Sequence, residues 1–181
     1  QGISVSITAA NDNAPEISSD GGGAAASISV EENTTAVTTV TATDVDQPVQ
    51  TLTYSISGGA DAARFQIDGT TGMLSFLTAP DFEVPTDAGG DNVYDVIVQA
   101  ADGQGGTDTQ AIAVTVTSSN DNPPIITSGG TASVAENSTA VMTVTATDAD
   151  QPAQTLTYSI SGGADAARFQ INADSGVLSF L

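Results

Sequence analysis

A 28-residue phrase occurs twice in this chain almost unchanged. "TATDVDQPVQTLTYSISGGADAARFQID" at 41–68 returns as "TATDADQPAQTLTYSISGGADAARFQIN" at 145–172, an offset of 104 residues. "TGMLSFL" (71–77) returns as "SGVLSFL" (175–181) at the same offset. A repeat of domain size forces the two segments into the same fold, so only one architecture has to be found for the whole chain. The phrases "NDNAP" (11–15) and "NDNPP" (120–124) are 109 residues apart. The five additional residues fall in the polar stretch "SSDGGGAAAS" (18–27), which reads as a surface loop between strands.

Within the complete copy, short alternating runs are punctuated by Gly, Pro, Asn and Asp. They predict strands near 27–31, 36–43, 51–57, 64–68, 72–77, 93–101 and 109–117. In "VYDVIVQAAD", Tyr94, Val96, Val98 and Ala100 share one face; in "AIAVTVT", Ile112, Val114 and Val116 do. Helical periodicity is absent, apart from a single turn at "GADAAR". Seven period-two runs in about 100 residues predict a seven-stranded Greek-key antiparallel β-sandwich, repeated in tandem. Tyr54, Tyr94 and Tyr158 fall at positions that read as core.

The copies do not coincide with the ends of the sequence. "ISVSIT" near the start aligns with "IAVTVT", the last strand of a copy, and the second copy reaches Leu181 before the two strands equivalent to 93–117. The expected division is 1–13, the last strand and linker of a preceding repeat; 14–121, a complete repeat; and 122–181, the first five strands of a second. A sandwich without two adjacent strands has unpaired backbone groups and an open core, so the chain reads as a window on a longer array.

Charge narrows the function. The 181 residues carry 22 acids against two basic residues, Arg64 and Arg168, for a net charge of −20, with no His, Cys or Trp. Two cations cannot neutralise a nucleic-acid backbone or bind an anionic membrane, and no run approaches the ~18 apolar residues that span a bilayer. An apolar fraction of 39% is too high for a solvated acidic tail. Catalysis has no support: there is no His or Cys, no nucleophile elbow and no phosphate loop. Arg64 and Arg168 each follow an aspartate by three residues, Asp61 and Asp165, which predicts local ion pairs.

The acids are clustered. Two carboxylates about 4 Å apart repel by roughly 4 kcal/mol at an effective dielectric of 20, so such groups need full solvation or a cation. Asp, Glu, Asn and backbone carbonyls without imidazole or thiolate suit calcium rather than zinc or copper. Taken singly, each acidic stretch is equally explained as turn chemistry, because Asp and Asn hydrogen-bond their own backbone.

As an ordered set these motifs resemble cadherin repeats over nearly the whole chain. They are Glu-Asn after the first strand (Glu32-Asn33, Glu136-Asn137), Asp-x-Asp ("TDVD", "TDAD"), "PDFE", "AADG" and the closing Asn-Asp-Asn-x-Pro. The resemblance implies two or three calcium ions at each junction between successive domains. For the junction inside this chain it implies Glu32, Asp81 and Glu83 from the first domain, and Asn120, Asp121 and Asn122 from the linker, with Asp121 bridging two ions. Asp148 and Asp150 come from the second domain. At the N-terminal junction it implies Asn11, Asp12, Asn13, Asp44, Asp46 and Asp102. One position departs from the family: the linker's earlier Asp is Ala9 or Ser118 here, which removes a carboxylate from the middle ion.

The composition, rich in Ala, Thr and Gly, very acidic and without Lys, resembles bacterial cadherin-like repeat adhesins more than animal cadherins. The implied role is a calcium-rigidified extender of a large extracellular or surface-anchored protein, with neighbouring repeats, or identical chains in a fibre or surface layer, as partners. Two alternatives stand beside it: a subunit of a self-assembling filament, and a carbohydrate-binding module using a sandwich face. "NTT" (33–35) and "NST" (137–139) also match the N-glycosylation acceptor.

Overall fold

The computed structural model describes residues 1–181 and divides into two compact units, 1–118 and 119–181. Each is all-β apart from short 3-10 turns, two in unit 1 and one in unit 2.

In unit 1 the longest strands, β8 (Val93–Ala101) and β9 (Thr107–Thr117), are the two with the cleanest alternation. They form an antiparallel hairpin from Val93↔Thr115 to Ala101↔Thr107. Tyr94, Val96, Val98 and Ala100 on one strand, and Ile112, Val114 and Val116 on the other, are all buried, as the period-two pattern requires. β2 (Ala25–Glu31) and β5 (Thr53–Gly58) flank the hairpin, giving a four-stranded sheet in the order β2-β9-β8-β5. The facing sheet is β3-β7-β6, from β3 (Ala36–Thr39), β7 (Met73–Phe76) and β6 (Phe65–Ile67). Phe65 stacks on Phe76 at 4.5 Å between ring centroids, and Tyr94 meets Phe76 edge-on at 5.2 Å, so aromatics weld the two layers.

Two features depart from the expected pattern. β2 runs parallel to β9, from Ala25↔Ala111 to Glu31↔Thr117, so this sheet is mixed rather than antiparallel. The expected strand 36–43 breaks in two: after β3 the chain turns, and β4 (Ala42–Thr43) pairs with β1 (Glu16–Ile17), a strand too short to show alternation. Ile17 is nonetheless a core residue. The single turn at "GADAAR" is a 3-10 turn over Ala62–Arg64. Residues 1–10 form no regular element, in contrast to the strand expected from "ISVSIT".

Unit 2 repeats part of this frame. β10 (Ile125–Ile126) pairs with β12 (Ala146–Thr147). β11 (Ala140–Thr143), β14 (Val177–Phe180) and β13 (Phe169–Ile171) form a second sheet. Its register, Phe169↔Phe180 and Ile171↔Leu178, repeats Phe65↔Phe76 and Ile67↔Leu74. Residues 129–135 and 157–162, the counterparts of β2 and β5, form no strand. In unit 1 those two strands bond only to β9 and β8, and residues 119–181 include no counterpart of either. An open groove of about 1120 Å³ lies there, with Val144, Leu156, Tyr158, Phe169 and Leu178 among its walls.

Candidate metal-binding ends

The parallel β2–β9 pair sorts the acids. Asp102 follows β8 at the Ala101↔Thr107 end of the hairpin, whereas Glu32 follows β2 at the Glu31↔Thr117 end. With eleven residues of β9 between them, the two lie about 30 Å apart.

At the β2 end, Glu32 is 3% exposed and its Oε2 accepts the Phe82 N–H at 2.7 Å, which draws the "PDFE" turn onto the strand end. The Asn33 N–H donates to the Pro80 carbonyl at 2.9 Å and tightens the same contact. Asp81 Oδ1 accepts the N–H groups of Glu83 (3.0 Å) and Val84 (3.1 Å). A carboxylate oxygen of each of Glu32, Asp81 and Glu83 lies within 4.8 Å of the other two. Three negative charges this close repel unless a cation joins them.

At the opposite end of unit 1, Asp46 is the hub. Its Oδ2 accepts the N–H groups of Asp12 (3.0 Å) and Asn13 (2.9 Å), and its Oδ1 accepts Asn13 Nδ2 at 2.6 Å. These bonds, the Asn13 side chain first, hold the Asp46 carboxyl below its ordinary value of 3.8. Asp44 Oδ1 accepts the Asp46 N–H at 2.9 Å. Asp102 Oδ1 accepts Gln104 N–H (2.7 Å) and Gly106 N–H (3.0 Å), while Asn11 Nδ2 donates to its Oδ2 at 3.1 Å. The Gln104 bond leads in pulling the Asp102 carboxyl down as well. Asn11, Asp12, Asn13, Asp44, Asp46 and Asp102 are thus gathered at one end.

Unit 2 repeats the hub. Asp150 Oδ1 accepts the Asn122 N–H at 3.1 Å and Asn122 Nδ2 at 2.9 Å, and Asp148 Oδ1 accepts the Asp150 N–H at 3.1 Å. Asn122 Nδ2 also reaches Asp121 Oδ1 at 2.9 Å. Burial pushes the Asp150 carboxyl up, but the Asn122 bonds outweigh it and the net direction is down. Asp46, Asp102 and Asp150 therefore stay ionised at neutral pH.

The donor set fits a hard cation: carboxylates and amide oxygens, with no nitrogen or sulfur ligand. Asp44 Oδ2 and Gln50 Oε1, both in the 44–50 loop, are enclosed and accept no hydrogen bond, so this loop has oxygen acceptors to spare beside the linker.

Two residues behave otherwise than expected. Asp61 forms no ion pair with Arg64; it is buried and accepts the N–H groups of Ala88 (2.7 Å) and Asp95 (2.9 Å). In unit 2 the exposed counterparts do pair, Arg168 Nε to Asp165 Oδ1 at 3.5 Å. The residues that sequence reasoning missed are Gln50 and Gln154, which bond to the linker asparagines. No sequence signal singled them out, because nearly all of the 41–68 phrase is retained at the 104-residue offset.

The cadherin domain profile matches residues 26–117 and 130–181, and the chain belongs to the cadherin domain family. It is 36% identical to human protocadherin gamma-B4 over 126 residues, covering 67% of this chain and 13% of that protein. It is 32% identical to mouse cadherin-23 over 190 aligned positions, covering 97% of this chain and 5% of that protein. Similar solved structures include mouse cadherin-23 EC22-24 (TM-score 0.62, 26% identity, 96% of this chain and 55% of that one). The protocadherin gamma-B4 extracellular domain is another (TM-score 0.66, 28% identity, 96% and 27%). These relatives are cadherins rather than enzymes, and the chain spans 13% or less of the length of the two full-length relatives.

Proposed function

We propose that these repeats form a calcium-dependent extender segment of a large extracellular adhesive protein, in which two or three ions per junction join successive domains. The observation that carries the reading is the cluster of Glu32, Asp81 and Glu83, three carboxylates converging at one end of a sandwich with no cation of the chain among them. Asn120, Asp121 and Asn122 would supply the linker's share, Asp121 to two ions. Asp148 and Asp150 present the second domain's share, as Asp44, Asp46 and Asp102 do for the junction before unit 1, with Asn11, Asp12 and Asn13 as its linker.

Calcium, when bound, supplies the positive charge and the six to eight oxygen contacts that offset this repulsion. The chain's own residues do the rest. Asp46 and Asp150 fix the linkers through backbone N–H groups, and Glu32 fixes the "PDFE" turn. The repeat boundaries proposed from the sequence, 14–121 and 122–181, place one such linker at each boundary. The near-identity of the copies favours spacers over recognition domains, and the acidity with no lysine favours a bacterial surface adhesin. Of the three tyrosines expected in the core, Tyr94 is buried out of reach of a sugar and Tyr54 is half-buried against the core, whereas Tyr158 lines the open groove of unit 2. The test is small-angle scattering with and without chelator. A smaller spread of conformations and a longer maximum dimension in calcium support the reading, and an unchanged profile rejects it.

A further inference from the structure

We propose that Gln50 and Gln154 are positioning residues of these cation sites, each holding the side chain of the first linker asparagine in place beside the ligand carboxylates before an ion arrives. This rests on the calcium reading above. Neither glutamine belongs to the residue set that the cadherin resemblance implies, yet both make the corresponding contact.

In unit 1, Gln50 Nε2 donates to Asn11 Oδ1, and Asn11 Nδ2 donates on to Asp102 Oδ2 at 3.1 Å. In unit 2, Asn120 Nδ2 donates to Gln154 Oε1 at 3.0 Å, and Gln154 Nε2 donates on to Asp150 Oδ2 at 3.3 Å. The amides run in opposite directions, but each two-amide chain ends on a carboxylate of the proposed site. A glutamine amide both gives and accepts, so the pair holds with either oxygen turned outward. In unit 1 the free oxygen is enclosed: Gln50 Oε1 has no hydrogen-bond partner.

The physical effect is preorganisation. An asparagine at the start of an exposed, glycine-free linker has many rotamers to lose when it meets an ion. Bonding it in advance to the 44–50 or 148–154 loop lowers the entropy lost on ion binding. The donated N–H also offsets part of the charge on Asp150 Oδ2 while no ion is there. Outer-shell partners of this kind typically contribute about 10-fold or more to metal affinity.

The experiment uses the full 181-residue chain with Gln50→Met and Gln154→Met together, which keep the length of the side chain and remove its hydrogen bonds. Gln66→Met, at an exposed strand position, is the control. Calcium titration by calorimetry is expected to show roughly 10-fold weaker binding in the double variant and no change in the control. In calcium-free NMR spectra the side-chain amides of Asn11 and Asn120 are expected to move toward the positions of solvated asparagine. Wild-type calcium binding with unaltered affinity in the double variant overturns this proposal alone. No calcium binding by the wild-type chain overturns it together with the reading it rests on. Affinity lost only in step with a lowered calcium-free melting temperature identifies a structural prop, and also overturns it.

Discussion

Two turns of the same hydrogen-bonding pattern are built on different residues, an aspartate in unit 1 and an asparagine in unit 2. Asp68 Oδ1 accepts the N–H groups of Thr70 (2.9 Å) and Thr71 (2.7 Å), and at the same place in unit 2 Asn172 Oδ1 accepts those of Asp174 (3.0 Å) and Ser175 (2.8 Å). The Thr71 N–H, followed by that of Thr70, holds the Asp68 carboxyl below its ordinary 3.8. A folded-state value below the unfolded one means stability that is fully present above pH ~4 and disappears as pH falls through the folded value. Asn172 has no such dependence. Asp68→Asn is therefore expected to flatten the acid limb of unit 1's stability, measured as melting temperature between pH 5 and pH 2. Four residues after Asp68, Gly72 has φ +72°, and an added Cβ would lie 2.1 Å from the Val40 carbonyl oxygen. Gly72→Ala is expected to destabilise by at least about 1–3 kcal/mol from the backbone conformation alone, seen as a fall in the denaturation midpoint.

At the scale of elements, the same side chain has different worth in the two copies. Leu74 on β7 is fully buried beneath β8 and β9, whereas Leu178 on β14 is only half-buried beside the open groove. Leu74→Ala is expected to cost about 2–5 kcal/mol, and Leu178→Ala well under half as much, read by native-state hydrogen exchange of each unit. The long strands were legible because Tyr94, Val96, Val98, Ile112, Val114 and Val116 keep strict alternation over enough residues to exclude a helix. β1 was not, since two residues have no period, and burial of Ile17 depends on its packing against strands remote in sequence. Nor does alternation encode direction. The parallel alignment of β2 with β9 follows from which edge the chain returns to. At the site, carboxylates and asparagines stood out by type and order. Gln50 and Gln154 did not, because an isolated glutamine carries no charge and only its hydrogen bonds reveal what it holds.

For the molecule as a whole, a net charge of −20 opposes compaction. Without calcium, raising monovalent salt from 0.02 to 0.5 M (illustrative concentrations) is expected to raise the melting temperature by screening that repulsion. Saturating calcium should remove most of this salt dependence. Free calcium at about 100 times its dissociation constant should add about 2.7 kcal/mol per site, checked by calorimetric melting at stepped concentrations. Unit 1 also has its entry and exit strands arranged in a particular way. The chain enters beside the start of β9, where the Ile17 N–H donates to Asp108 Oδ2 at 2.8 Å, and leaves at Thr117, where β9 ends. Tension applied through the two linkers would pull along β9 rather than across it. Its two hydrogen-bond ladders would then have to fail by sliding, many bonds at once, instead of peeling one after another. A module built this way resists being drawn out by its own neighbours, which suits a tether held under load.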